Sequence, residues 1–212
     1  EEFQPIRTIF IKGKVYDEET NQPLAADFKL TDLGTGKVFK HAIANSGSGE
    51  FMVAIPKNKD FALHAEHEGY FFYSENYSLD KIEKIDSGFL INVPMSRIKA
   101  NTFVVLKNIF FDVNKWELKN ESITELNKVF ELLIKNPSIK IELGGHTDSD
   151  SDDHENQILS ENRAKSVFEW LVNKGIPNER MTYKGYGESR PLVPNTSSKN
   201  KAKNRRTELT IQ

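Results

Sequence analysis

The sequence predicts two domains of different class. Residues 1–100 read as an all-β sandwich, and residues 101–212 as an α/β domain with a mixed sheet and helices packed on it in βαβαβ order. Three observations predict this. The first part holds short runs of β-branched and aromatic residues, separated by turn clusters at regular spacing, with no convincing helix. The second part alternates such runs with stretches of helical period. A chain of 212 residues also has room for two cores of about 100 residues each. The boundary is expected near Arg97–Asn101, without a long linker.

In the first domain, Thr8–Val15 opens the pattern. Turn clusters at Asp17–Pro23, Gly34–Gly36, Asn45–Gly49 and Pro56–Asp60 bound the later runs. These are Phe28–Leu33, Lys37–Ala44, Glu50–Ile55, Phe61–His67, Tyr70–Ser74 and Gly88–Met95. Phe71, Phe72, Tyr73 and Tyr77 read as core and cross-strand pairs rather than a carbohydrate or partner surface. His41, His64 and His67 read as ordinary sandwich side chains.

In the second domain, Phe103–Phe111 reads as a strand. Ser122-Ile123-Thr124-Glu125 has the form of a capping box. Leu126, Val129, Phe130, Leu133 and Ile134 follow as one apolar stripe, and Pro137 ends that helix. Ile139–Leu143 is the next strand and runs into Gly144-Gly145. A second helix covers Glu155–Asn173, with Ile158, Val167, Trp170 and Leu171 apolar and Lys174-Gly175 as its stop. Met181–Tyr186 and Thr207–Ile211 are the last strands, joined by a long polar connection over Gly187–Asn204.

Composition excludes several function classes. Hydrophobic residues make up 37% and charged residues 28%, a globular profile. No run approaches the roughly 18 apolar residues of a membrane helix. The absence of cysteine excludes disulfides, thiolate metal sites, iron–sulfur centres and a cysteine nucleophile. The chain begins at Glu1 rather than Met, which points to a piece of a longer protein; any membrane attachment is expected through an upstream part. A nucleophile elbow, a His-Glu-x-x-His pair and a phosphate loop are all missing, so neither an enzyme nor a cofactor is expected. Asp148, Asp150 and Asp152 match the first, third and fifth positions of a calcium loop. That template fails where Gly and Glu are needed, at Asp153 and Leu159. His146, Asp148 and His154 lack zinc-ligand spacing, so no metal is expected.

Net charge is −2, which argues against nucleic acid as a partner. The informative feature is local. Asp148, Asp150, Asp152, Asp153 and Glu155 form an acidic run, and Lys199, Lys201, Lys203, Arg205 and Arg206 a basic one. The bland reading is two solvated loops. The sharper one is a site where an acid and a base face one zwitterionic ligand.

The second domain carries an ordered motif string: Gly145-His146-Thr147-Asp148, Asn156, Leu159-Ser160-Glu161-Asn162-Arg163-Ala164, Gly175-Ile176, Arg180, Gly185-Tyr186-Gly187-Glu188, Pro191, Asn195-Thr196 and Asn204-Arg205-Arg206. From Leu106 to Gln212 this resembles the OmpA-like peptidoglycan-binding domain of OmpA C-terminal domains, Pal lipoproteins and flagellar stator proteins. The resemblance implies non-catalytic binding of peptidoglycan through the diaminopimelate residue of its stem peptide. It would anchor an envelope protein to the Gram-negative cell wall from the periplasm, at the outer membrane. By motif position, Asp148 would accept the ligand's ammonium and Arg163 would grip its carboxylate. Asn114, Asn156 and Arg205 would share the pocket, and Leu159 would supply an apolar wall. Two segments depart from the family pattern: Ser149–Asp153, where a glycine is common, and Asn200-Lys201-Ala202-Lys203, where Gly-Arg is common.

The first domain resembles a carboxypeptidase regulatory-like (transthyretin-like) sandwich. The residues that carry this are Gly13–Asp17, Thr20, Pro23-Leu24, Gly49-Glu50-Phe51 and Glu68-Gly69-Tyr70. Such modules act as spacers or docking surfaces for envelope proteins. The pairing of the two resembles an anchor lipoprotein associated with type IX secretion in Bacteroidetes-type bacteria. The alternative is a protein-interaction scaffold that keeps the fold but has lost wall binding.

Overall fold

The computed structural model describes residues 8–56, 60–77 and 89–212. The chain divides into two compact units, Glu1–Ile98 and Lys99–Gln212.

The first unit is built of strands: β1 (Thr8–Asp17), β2 (Asp27–Asp32), β3 (Val38–Ile43), β4 (Glu50–Pro56), β5 (Phe61–Glu66), β6 (Tyr73–Tyr77) and β7 (Phe89–Met95). They form two sheets, ordered β4-β1-β7 and β3-β2-β5-β6. Period-two patterning drives the layering. In β4, Phe51, Val53 and Ile55 are buried, while Glu50, Met52 and Ala54 face out. Side chains of both sheets close on one core, among them Ile11, Val15, Ile55 and Val93 against Phe28, Leu30, Phe61 and Leu63. Gly13 lets β1 run parallel to β7, because a Cβ there would lie 1.7 Å from the Ile91 carbonyl oxygen.

One expected strand is displaced. The strand expected over Tyr70–Ser74 instead covers Tyr73–Tyr77. Tyr70 leaves the sheet because its hydroxyl donates to the buried Asp17 carboxylate at 2.6 Å. That carboxylate also accepts from Arg97 Nε at 2.7 Å and from the Glu19 and Thr20 amides at 2.9 Å each. Phe71 and Phe72 are buried, and Tyr77 stacks on Phe61 with ring centroids 5.4 Å apart. Part of the expected Pro56–Asp60 turn and the Gly88 start of the last strand lie outside the described residues.

The second unit runs β8 (Phe103–Val105), α1 (Ile123–Lys135), β9 (Ile141–His146), α2 (Asp153–Asn173), β10 (Met181–Gly185), α3 (Ser198–Asn204) and β11 (Arg206–Ile211). Its mixed sheet is ordered β10-β9-β11-β8, with β9 and β10 parallel and β11 antiparallel to both neighbours. The βαβαβ order therefore continues through a third short helix into the last strand. That helix falls in the stretch expected to be a plain polar connection. It has no apolar stripe, and Ser197 caps it by accepting from the Asn200 amide at 3.2 Å.

Two local expectations are corrected. The strand expected over Phe103–Phe111 ends at Val105. It pairs with β11, which begins at Arg206, so the ladder runs out and the segment from Leu106 to Lys119 leaves the sheet. The capping box also does not form. Ser122 Oγ instead accepts from the Phe110 amide at 2.8 Å, and Glu125, fully buried, accepts from Asn108 Nδ2 at 3.3 Å. Both residues latch that departing segment to α1.

Helix α2 lies against β9 and β10 on a face that is small or polar at Asn156, Ser160 and Ala164 and apolar at Val167 and Leu171. Glycines allow this close approach. A Cβ on Gly145 would sit 1.9 Å from the Ser160 carbonyl oxygen, and one on Gly185 would sit 2.6 Å from the Glu161 amide. Ile158, expected on the apolar face, is 47% exposed.

Candidate functional site

Sheet register assembles the site. Arg206 of β11 pairs with His146 of β9 in an antiparallel ladder. The residue before Arg206 and the residues after His146 therefore leave the sheet at the same edge. Arg205 meets Asp148 there, with Nη1 2.5 Å from Oδ2. The other carboxylate oxygen of Asp148 accepts from the Asp150 amide at 3.1 Å. Asp148 itself is buried, whereas the Arg205 side chain is half exposed.

The start of α2 fixes the loop around Asp148. Asp152 caps the helix by accepting from the Glu155 amide at 3.0 Å. Asn156, buried in the first turn, points its Nδ2 at the carbonyls of Asp148 (3.1 Å) and Ser151 (3.0 Å) and at Glu188 Oε2 (2.8 Å). Asp150 forms an ion pair with Lys201 of α3. The three aspartates of the imagined calcium loop thus hold an arginine, a lysine and a helix N-terminus. Asn204 closes the other side, accepting from the Leu192 and Val193 amides at 2.9 and 3.2 Å.

Nearly three turns into α2, Arg163 reaches across to the segment that left the sheet. Its Nε donates to the Lys115 carbonyl at 2.9 Å and its Nη2 to the Asp112 carbonyl at 3.2 Å. The guanidinium carbon lies 5.1 Å from the Phe111 ring centroid. Asn114, between those two carbonyls, adopts a left-handed backbone at φ 55°, which asparagine tolerates better than most residues.

These groups surround one cavity of about 540 Å³. Asp148, Arg163, Asn114, Asn156, Leu159 and Arg205, the six residues expected to share a site, all line it. Further wall residues, not expected from the sequence, are Ile109, Phe110, Phe111, Asp112, Val113, Thr147, Asp150 and Ser151. The apolar run at 109–111 is the available signal, and its β-like composition reads equally as the end of a strand. His146 is not part of the wall. It is buried, stacks on Tyr186 at 5.1 Å, and sets Nε2 3.2 Å from Glu208. Burial would raise the Glu208 carboxyl, but His146 and Arg206 outweigh it and hold the pKa below its ordinary value. Among the described residues, no group of three or more His, Cys, Asp and Glu could hold a metal ion.

The electrostatics are unbalanced in one direction. No carboxylate lies within ion-pair distance of Arg163 among the described residues. Burial first, and the nearby Arg205 second, push its pKa below the ordinary value, and Asp148 only partly offsets them. A partly desolvated guanidinium with three N–H groups still to place suits an anion, above all a carboxylate.

Residues 110–205 match the OmpA family. The second unit is OmpA-like. The relatives of this OmpA-like unit share it in different settings. Outer membrane porin F of Pseudomonas fluorescens is 36% identical over 105 residues, which are 50% of this chain and 32% of that protein. The peptidoglycan-associated lipoprotein of Buchnera aphidicola is 28% identical over 163 residues, 76% of this chain and 89% of that one. Photosystem I P700 chlorophyll a apoprotein A2 of Gloeobacter violaceus is 39% identical over 112 residues, only 13% of its length. The chain therefore spans less than half the length of several curated relatives that it matches. The crystal structure of the peptidoglycan-associated lipoprotein from Burkholderia pseudomallei aligns over 49% of this chain and 88% of its own, with 24% identity and a TM-score of 0.46. Among the described residues, no helix is long and apolar enough to cross a membrane.

Proposed function

We propose that the OmpA-like unit binds peptidoglycan without cleaving it, through the diaminopimelate residue of the stem peptide. In this reading it anchors an envelope protein to the cell wall from the periplasm, at the outer membrane. One observation carries the proposal: a buried carboxylate, Asp148, and a carboxylate-free guanidinium, Arg163, face the same cavity. The free end of diaminopimelate presents an ammonium and a carboxylate on one carbon. Asp148 takes the ammonium, its carboxylate either shared with Arg205 or released by it. Arg163 takes the carboxylate with the donors that its loop contacts leave over. Asn114 and Asn156 shape the walls, and Leu159 packs on the ligand's methylenes. A relative named as a peptidoglycan-associated lipoprotein supports this reading.

The first unit, with its two strand layers on one core, fits a transthyretin-like spacer that docks other envelope components. Its pairing with a wall-binding unit fits an anchor serving type IX secretion. The two units are then domains with separate tasks.

Calorimetric titration with a diaminopimelate-containing muropeptide tests the proposal. Saturable binding is expected, with loss of at least ~2 kcal/mol in Asp148→Ala or Arg163→Ala, because each leaves a ligand charge unpaired. Wild-type affinity in both variants would sink the pocket assignment. Failure of the protein to sediment with sacculi would favour a scaffold that has lost wall binding, and release of soluble muropeptides would indicate an enzyme.

A further inference from the structure

We infer that the cavity selects stem peptides that end at the diamino acid, and that Arg205 reads their second carboxylate. This rests on the roles of Asp148 and Arg163 proposed above. It follows from a charge balance around the cavity.

Five charged side chains line the wall: Asp112, Asp148, Asp150, Arg163 and Arg205. Two of the acids already have lysines. Asp150 is paired with Lys201, and Asp112 Oδ1 lies 3.2 Å from Lys119 Nζ. Glu188 stands behind Asn156, outside the wall. What faces a ligand is therefore one buried carboxylate, Asp148, between two guanidiniums. Arg163 spends two donors on backbone carbonyls. Arg205 has Asp148 as its acidic partner, through Oδ2, while Oδ1 is occupied by the Asp150 amide.

An ammonium arriving at Asp148 competes with Arg205 for that oxygen. One ligand carboxylate on Arg163 then leaves Arg205 with a weakened partner. The complement of two cations and one anion is one ammonium and two carboxylates. A stem peptide whose last residue is diaminopimelate carries that set: the free amino and carboxyl groups of the side-chain end, and the carboxyl that terminates the chain. When D-alanine follows, the terminal carboxyl becomes an amide and the charge moves one residue outward. Arg205 is suited to the second contact. Its side chain sits half exposed at the mouth of the pair with Asp148, where a ligand carboxylate can reach it.

The test uses the full chain and two ligands, L-Ala-γ-D-Glu-meso-diaminopimelate and the same peptide amidated at its chain-terminal carboxyl. Calorimetry on the wild type should give the acid ~10-fold tighter binding than the amide, the size of one charge-assisted pair at a half-exposed position. In Arg205→Gln, with its fold checked by circular dichroism, the two ligands should bind within about twofold of each other. Equal binding of both ligands by the wild type would overturn the inference, as would a preference that survives in Arg205→Gln. If the wild type binds neither, the inference falls together with the diaminopimelate reading beneath it.

Discussion

Replacing Arg163 by Lys separates charge from geometry at the centre of the site. The guanidinium makes two directed contacts to the loop, at 2.9 Å to the Lys115 carbonyl and 3.2 Å to the Asp112 carbonyl, and lies over the Phe111 ring. A lysine ammonium keeps the charge but can satisfy only one of those carbonyls well. At about 1 kcal/mol net per hydrogen bond, Arg163→Lys should cost about 1 kcal/mol of stability. Binding should suffer more, because the planar fork that meets a carboxylate is gone. A loss of about 1.5–2 kcal/mol, roughly 10- to 30-fold in Kd, is expected for a stem peptide. Calorimetry measures the affinity, and urea unfolding of the same sample measures the stability. Binding within about threefold of wild type, with the fold intact, would refute the idea that Arg163 acts through directed donors rather than bare charge.

Three other perturbations test how the fold builds the site. Gly145→Ala puts a Cβ 1.9 Å from the Ser160 carbonyl oxygen, so α2 must shift from β9; urea unfolding should show a loss of more than about 3 kcal/mol, and a loss below about 1 would contradict the packing. Ser122→Ala deprives the Phe110 amide of its acceptor at 2.8 Å; a destabilisation of about 1–2 kcal/mol should come with weaker ligand binding, since Phe110 lines the cavity, and unchanged affinity would break that link. Asp17 has its carboxyl held well below the usual range, by the Tyr70 hydroxyl first, then the Thr20 amide, and by Arg97 and the Glu19 amide against the opposing effect of burial. Its contribution is therefore present above about pH 4, the ordinary carboxylate value, and is lost as pH falls further. Asp17→Asn should flatten that acid limb in pH-dependent melts, and an unchanged limb would contradict it.

Much of the fold was legible because patterning and packing agree. Phe51, Val53 and Ile55 alternate in sequence and alternate in burial. Val129 and Leu133 recur at helical spacing and are buried on α1. The errors arose where tertiary partners took over local signals. Ser122 and Glu125 look like a cap, yet their side chains bind the Phe110 and Asn108 segment instead. Ile109, Phe110 and Phe111 look like a strand, yet they wall a cavity because β11 offers no further ladder. Helix α3 has no apolar face, so periodicity could not reveal it. For the candidate site, the types and order of Asp148, Asn156 and Arg163 could be read along the chain. Their electrostatics could not. The acidic and basic runs meet only in space, where Asp150 pairs with Lys201 and Asp148 with Arg205. Asp150 and Lys201 lie in the two segments that depart from the family pattern, so each departure supplies the other's partner.

In the proposed function, the cavity between β9, α2 and the segment around Asn114 takes the zwitterionic end of diaminopimelate. Two-dimensional NMR of the nitrogen-labelled chain, titrated with the stem tripeptide, tests it most directly. Saturable shifts are expected, centred on the amides of Asn114, Asp148 and Asn156 and on the Nε–H of Arg163. An unchanged spectrum at millimolar ligand, or shifts confined to residues away from this cavity, would contradict it.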